Sequence, residues 1–157
     1  YGMLTWEDGK EHALPQDFAD MLGWKELAHK VDSIYRQMPD PENTLVLCDN
    51  YGQAGAINYY SKLGIKAVSF NADYINWFDL SKKYTNLIRV KNYWERGIEL
   101  ETTGPFFKKS MVADSVTNSY AREHGTTVFS FINAKININK RVSNEIASEK
   151  RKKNLPL

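Results

Sequence analysis

The segment Asp49-Asn50-Tyr51-Gly52-Gln53-Ala54-Gly55-Ala56 offers the strongest local chemistry, because it joins a short apolar run to a helical pattern. In open α/β sheets that junction, at the carboxyl end of a strand, is where ligands bind. Gly52 and Gly55 allow a close backbone approach, and free N–H groups at a helix start favour an anionic or hydroxyl-rich group. The spacing is Gly-x-x-Gly, which is neither a dinucleotide fingerprint nor a phosphate-binding loop, for which Lys and Ser/Thr are missing. The plain alternative is a tight turn in which Gly55 lets a helix lie close on the sheet. A second cluster, Asn71-Ala72-Asp73-Tyr74-Ile75-Asn76-Trp77, follows the next apolar run. Aromatic rings beside amide and carboxylate groups suit sugar faces and hydroxyls, whereas Tyr74 and Trp77 closing a core beneath a loop would explain the same residues. Asn92-Tyr93-Trp94-Glu95-Arg96 repeats the pattern after a third run, with Glu95 and Arg96 reading as a surface pair.

No Ser-His-Asp or Cys-His arrangement stands out, no Asp-x-Asp motif occurs, and His12, His29 and His124 lack metal-ligand spacing. Cys48, at the end of an apolar strand, reads as an inert core thiol. The residues therefore nominate no catalyst, metal or cofactor. The expected ligand-binding set is Asp49, Asn50, Tyr51, Gly52, Gln53, Gly55, Asn71, Asp73, Tyr74 and Trp77, lining a groove at one sheet edge.

The elements that must position these residues follow from periodicity. Residues 1–16 mix Gly2, Gly9 and Pro15 with charges and read as an irregular lead-in. From Asp17, a plausible cap, apolar residues recur at steps of three and four through Met38, predicting an amphipathic helix ended by Pro39 and Pro41. Residues 44–48 form a strand with apolar character on both faces, 54–63 a helix stopped by Gly64, and 67–70 a second strand: a βαβ unit with a right-handed crossover. A loop with a helical turn spans 71–84, and a third strand covers 87–90. The stretch 94–107 is helical in part but interrupted by Gly97, Gly104 and Pro105. Residues 110–113 and 127–132 supply two more strands, and a last helix carries Ile138, Val142 and Ile146 on one face. Strands alternating with helices predict a three-layer α/β domain, Rossmann-like, with a mainly parallel sheet and helices on both faces. It spans 17–135 and is followed by a C-terminal helix and basic tail over 136–157.

The chain of 157 residues is long enough to bury a core of its own. Its 42% hydrophobic and 25% charged content excludes a largely disordered or fibrous chain. A net charge of +2 is too small to imply nucleic-acid binding. The run Lys150, Arg151, Lys152 and Lys153 reads as a solvated terminus, or as a contact with anionic lipid if a membrane lies nearby. No window of about 20 apolar residues exists to span a bilayer, and no signal peptide is present. The chain begins at Tyr1 and not at Met, which fits a piece of a longer protein as well as a processed one.

Leu14-Pro15-Gln16-Asp17-Phe18-Ala19-Asp20-Met21-Leu22-Gly23-Trp24, followed by Asn50-Tyr51-Gly52-Gln53-Ala54-Gly55-Ala56-Ile57, resembles the C-terminal region of bacterial dolichyl-phosphate-mannose protein mannosyltransferase-like proteins. These form glycosyltransferase family 39, related to the lipid A aminoarabinose transferase. The segment 71–77 resembles a family stretch in which Asn and Tyr precede a Trp-Gly pair, and the likeness covers about residues 14–133. Phe78 stands where the family often has Gly, and Gln53 where Glu is common. The resemblance implies a polytopic enzyme of the bacterial inner membrane that passes a sugar from a polyprenyl-phosphate donor to a protein or lipid acceptor. Its catalytic acid would lie outside this chain, among the membrane spans. The domain itself would sit on the periplasmic side, with the transmembrane part of the same polypeptide as its partner and a glycan, lipid-linked sugar or protein acceptor as possible ligand. Two rival readings rest on the same loops: a self-contained α/β enzyme acting on a sugar or nucleotide, and a scaffold or interaction module.

Overall fold

The computed structural model describes residues 4–153. The expected lead-in and basic tail therefore extend, at 1–3 and 154–157, outside the described residues. The elements run α1 (Gln16–Gln37), β1 (Thr44–Cys48), α2 (Tyr51–Tyr60), β2 (Val68–Ser69), β3 (Asn86–Lys91), α3 (Glu99–Thr103), β4 (Phe107–Ser115), β5 (Thr127–Ala134) and α4 (Ile138–Lys152). Short 3-10 turns at Ala72–Asn76 and Tyr93–Ile98 follow β2 and β3.

The strands form one α/β sheet in the order β2-β1-β3-β5-β4. β1 pairs in parallel with β2 and β3, whereas β5 is antiparallel to both of its neighbours. The sheet is therefore mixed: parallel through β2, β1 and β3, as expected of the centre, with the antiparallel β5 as the departure. β4 runs in the direction of β3, and β5 turns back through residues 116–126 to fill the place between them. That return is short and needs no crossover helix, because an antiparallel neighbour can be reached by a turn.

Alternation along the strands divides the core in two. Val46, Cys48, Ile88, Val90 and Val128 join Leu27 and Val31 of α1 and Ala54 and Ile57 of α2. Leu45, Leu47, Leu87, Phe129 and Phe131 join Ile138 and Val142 of α4, with Ile146 packed against them. The apolar stripe predicted for the last helix is thus its buried face, and Asn137 caps it by accepting the Lys140 N–H at 3.0 Å. Cys48 is buried, and burial pushes its thiol pKa up, as befits an inert core residue.

Several boundaries differ from expectation for identifiable reasons. α1 begins one residue before Asp17, with Pro15 at the cap position and Asp17 in the first turn. α2 begins at Tyr51, not Ala54, because the Asn50 side chain accepts the Gln53 N–H at 2.9 Å. Its far end is set before Gly64 by Asp32 of α1, which takes the Ser61 hydroxyl at 2.6 Å and the Lys62 N–H at 2.8 Å. β2 is only two residues long because Asn58 of α2 grips the Ala67 backbone from both sides, at 2.6 and 3.0 Å, so ladder pairing starts at Val68. The lead-in is more ordered than its composition suggested. Thr5 and Glu11 form an antiparallel bridge, and Trp6 stacks on His12 with centroids 3.6 Å apart.

α1 is held against the β4–β5 return by polar contacts. Glu26 accepts the Thr117 and Asn118 N–H groups at 2.8 and 2.9 Å, and Lys30 donates to the Ser115 carbonyl at 2.6 Å. Near the start of α1, Gly23 lies so close to the return that an added Cβ would stand 3.0 Å from the Glu123 Cβ. Burial raises the Glu123 carboxyl pKa, against the opposing Thr126 hydrogen bond and Arg122 charge. A carboxyl with a raised folded pKa loses stabilisation as pH climbs from its ordinary value, near 4.3, through the raised one. Glu123→Gln should therefore stabilise the protein at neutral pH, by on the order of 1 kcal/mol. The gain should vanish below about pH 4, which thermal melts of both proteins across that range will show.

Candidate functional site at the switch point of the sheet

β1 leads through α2 to β2 on one side, and the chain then returns to β3 on the other side of β1. The carboxyl ends of β1 and β3 are thus a topological switch point, where open α/β sheets leave a crevice for ligands. Asp49 and Asn50 leave β1 there, and Lys91 and Asn92 end β3.

Two linked polar clusters occupy this point. In the first, Asn92 Oδ1 accepts from Asn50 Nδ2 at 3.1 Å and from Gln53 Nε2 at 2.8 Å. Gln53 Oε1 in turn accepts the Asp49 N–H at 3.1 Å, and Asn92 Nδ2 donates to Glu95 at 3.2 Å. Gln53 is fully buried and Asn92 nearly so. The amides therefore satisfy one another, as buried polar groups must.

In the second cluster, Asp49 Oδ1 lies 2.7 Å from Arg89 Nη2 and 3.1 Å from Lys91 Nζ, while Oδ2 accepts the Asn92 N–H at 2.8 Å. Arg89 also donates to the Leu47 and Val90 carbonyls at 3.1 and 3.3 Å. Glu99 of α3 stands 4.0 Å from Arg89 Nε and 3.9 Å from Lys91 Nζ and takes the Thr103 hydroxyl at 2.7 Å. Two cations and two carboxylates thus balance in a largely buried setting. Burial alone would raise the Asp49 pKa, but the Arg89 guanidinium, the Asn92 N–H and the Lys91 ammonium outweigh it and hold the carboxyl below its ordinary range.

Concavities open on both sides of the charged cluster. One, of about 550 Å3, is bordered by Lys91, Trp94, Glu95 and Glu99 at the end of the sheet. The other, a cavity of about 170 Å3 on the α4 face, has walls of Leu45, Leu47, Leu87, Phe106 and Val142, with Arg89 and Glu99 on its rim.

Asp49, Asn50, Tyr51, Gly52 and Gln53 all sit at the switch point, the last three in the first turn of α2. The Asp49, Asn50 and Gln53 side chains are committed to partners within the protein, whereas Tyr51 is exposed. Gly52 receives the Trp24 ring of α1, which would lie 3.3 Å from an added Cβ, and Gly55 receives the Tyr74 hydroxyl at 3.2 Å from such a Cβ. Gly55 thus does let a neighbour approach closely, although that neighbour is the second loop. Tyr74 packs partly on the core, and its ring lies 4.9 Å from that of Trp77. Trp77 itself is exposed and borders a concavity with Asn58 and 64–68, at the outer edge of the sheet and away from Asn50. Asn71 and Asp73 are exposed beside it. The two loops therefore meet through Gly55 and Tyr74, while Trp77 borders a concavity whose lining does not include Asn50.

Arg89, Lys91, Asn92 and Glu99 were absent from the expected set. Their signal was available in part: Arg89 and Lys91 interrupt an otherwise apolar strand, and a buried cation requires a carboxylate nearby. Comparison of the chain with protein-family models, with curated proteins and with solved structures found no significant match.

Proposed function

We propose that this chain is the C-terminal extramembrane domain of a polytopic bacterial membrane glycosyltransferase that transfers a sugar from a polyprenyl-phosphate donor to a protein or lipid acceptor. Its own part is to position an acceptor or brace the membrane portion, with the chemistry carried out elsewhere in the parent. The domain lies on the periplasmic side of the inner membrane. No described helix is long and apolar enough to cross a bilayer, so in this reading the spans belong to the rest of the polypeptide. The sheet with its two apolar clusters is read as the middle of a three-layer, Rossmann-like arrangement.

The observation that carries the reading is the meeting of the motif segments. Trp24 of the first packs on Gly52 of the second, and Gly55 of the second receives Tyr74 of the third. Three stretches that resemble the family separately in sequence form one connected surface, and their glycines are explained by the side chains laid on them. The Asn50, Gln53 and Asp49 side chains are held by internal partners, which suits a rigid positioning edge better than a reacting one.

The test is to express the gene from its own start in membranes and to assay sugar transfer from a polyprenyl-phosphate donor. The parent protein should transfer, removal of this domain should abolish or strongly reduce transfer to the natural acceptor, and the isolated chain should be inactive. Turnover of a sugar or nucleotide substrate by the isolated chain would overturn the reading in favour of a self-contained enzyme. A gene without apolar segments of about 20 residues would also overturn it.

A further inference from the structure

We infer that the carboxyl end of the sheet is the face that lies against the bilayer interface, with Trp94 and Ile98 in the headgroup region and the basic end of α4 beside anionic lipid. The inference rests on the membrane-bound parent proposed above. Trp94 is 77% exposed, Ile98 63%, Tyr93 56% and Tyr51 59%, and all four lie at this one end. Large apolar groups so exposed at one end of the sheet, with Trp94 and Ile98 bordering one concavity, mark a surface that is covered in use. Trp and Tyr with an aliphatic neighbour are the residues that favour the water–lipid boundary.

The knob that carries Trp94 is anchored. Arg96 lies over the Tyr93 ring at 4.4 Å and donates to the Gly125 carbonyl at 3.1 Å and the Thr127 hydroxyl at 3.3 Å. Gly125, at φ +88°, leaves the space that the Tyr93 ring occupies. Trp94 and Ile98 are thus presented outward from a fixed turn, and insertion requires little further ordering.

α4 brings its charges to the same end. It starts after the end of β5, which runs opposite to the other strands, and at its far end Lys153 Nζ reaches the Phe70 carbonyl, just past β2, at 3.4 Å. Arg151, Lys152 and Lys153 are exposed there. Glu95 and Glu101 are exposed near the aromatic knob, so the apolar residues supply the insertion and the helix end supplies the preference for anionic lipid. The lead-in arrives at this end as well, because Trp6 borders the same concavity as Trp94. A membrane part joined before it, as proposed, would enter here.

The experiment is co-flotation of the chain with vesicles of phosphatidylcholine alone and of phosphatidylcholine mixed with phosphatidylglycerol. The wild type should bind both, and the mixed vesicles more tightly. The double variant Trp94→Ala, Ile98→Ser should bind about tenfold less to either, in line with the apolar area removed. The variant Lys150→Glu, Arg151→Glu, Lys152→Glu should lose about tenfold or more on the mixed vesicles only. Both change exposed or half-exposed positions, and unchanged melts will show that the fold is intact. Absence of wild-type binding to both lipids, or binding unaffected by the Trp94 and Ile98 changes, would overturn the inference. So would a wild type that self-associates while the double variant is monomeric, since that face would then join copies of the chain. The transfer assay of the parent protein is independent of vesicle binding by this domain, so each proposal can fail alone.

Discussion

Asp49→Asn should lower the stability of the protein by about 3 kcal/mol or more, as a shift of the urea midpoint with little change in slope. The substitution keeps the shape of the side chain and an oxygen for the Asn92 N–H, but it removes the charge that lies 2.7 Å from Arg89 and 3.1 Å from Lys91. Both cations are largely buried at the end of β3. What remains to balance them is Glu99, at 4.0 and 3.9 Å, beyond hydrogen-bonding distance of either. A buried pair adds little net stability over a well-packed apolar substitute, but a cation deprived of its partner keeps its whole desolvation cost. The effect should depend on pH in a definite sense. The Asp49 pKa is depressed in the folded protein, so its contribution is complete above the unfolded value near 3.9 and is lost as pH falls through the folded value. Wild type and variant should therefore differ most at neutral pH and converge in acid. A difference under about 1 kcal/mol at neutral pH would mean that water already solvates both cations.

This cluster also shows where the sequence was readable and where it was not. β1 and β3, buried over most of their length, were legible because a short apolar run between turn residues has few other solutions. α4 was legible because Ile138, Val142 and Ile146 fall on one stripe. The start of α2 was also written in the chain, since Asn50 followed three residues later by Gln53 is a capping pattern. The antiparallel insertion of β5 was not legible, because periodicity reports burial and carries no sign of strand direction. Nor was the shortness of β2, which depends on Asn58 reaching across from α2. The same limit applies to the site. Position at a strand end singled out Asp49, Asn50 and Gln53, but their partners Arg89, Lys91 and Asn92 lie about forty residues on, and only the parallel pairing of β1 with β3 brings them together. The aromatic residues were found as clusters, yet the sequence did not distinguish Tyr74, which turns inward onto Gly55, from Trp77 and Trp94, which face solvent.

Asn92→Ala should cost about 2–4 kcal/mol, because one oxygen serves two amides, one of them fully buried and the other half-buried. Asn50 Nδ2 and Gln53 Nε2 both donate to Asn92 Oδ1, and Gln53 is fully buried, so water cannot replace the lost acceptor without opening the start of α2. Each orphaned donor carries a desolvation penalty of about 1–3 kcal/mol, whereas the donation from Asn92 Nδ2 to the exposed Glu95 is readily taken over by solvent. Asn50→Ala should cost less, about 1–2 kcal/mol, from the lost helix cap and one amide bond. The two changes should not add. Once Asn50 is truncated, Asn92 has only the Gln53 amide to satisfy, and the double variant should fall short of the sum by about 0.5–2 kcal/mol. Additivity within about 0.3 kcal/mol would show that the two loops are held independently. A measured coupling would mean that the ends of β1 and β3 are locked by a single shared atom, so that whatever ligand or surface engages the switch point meets an edge already fixed in place.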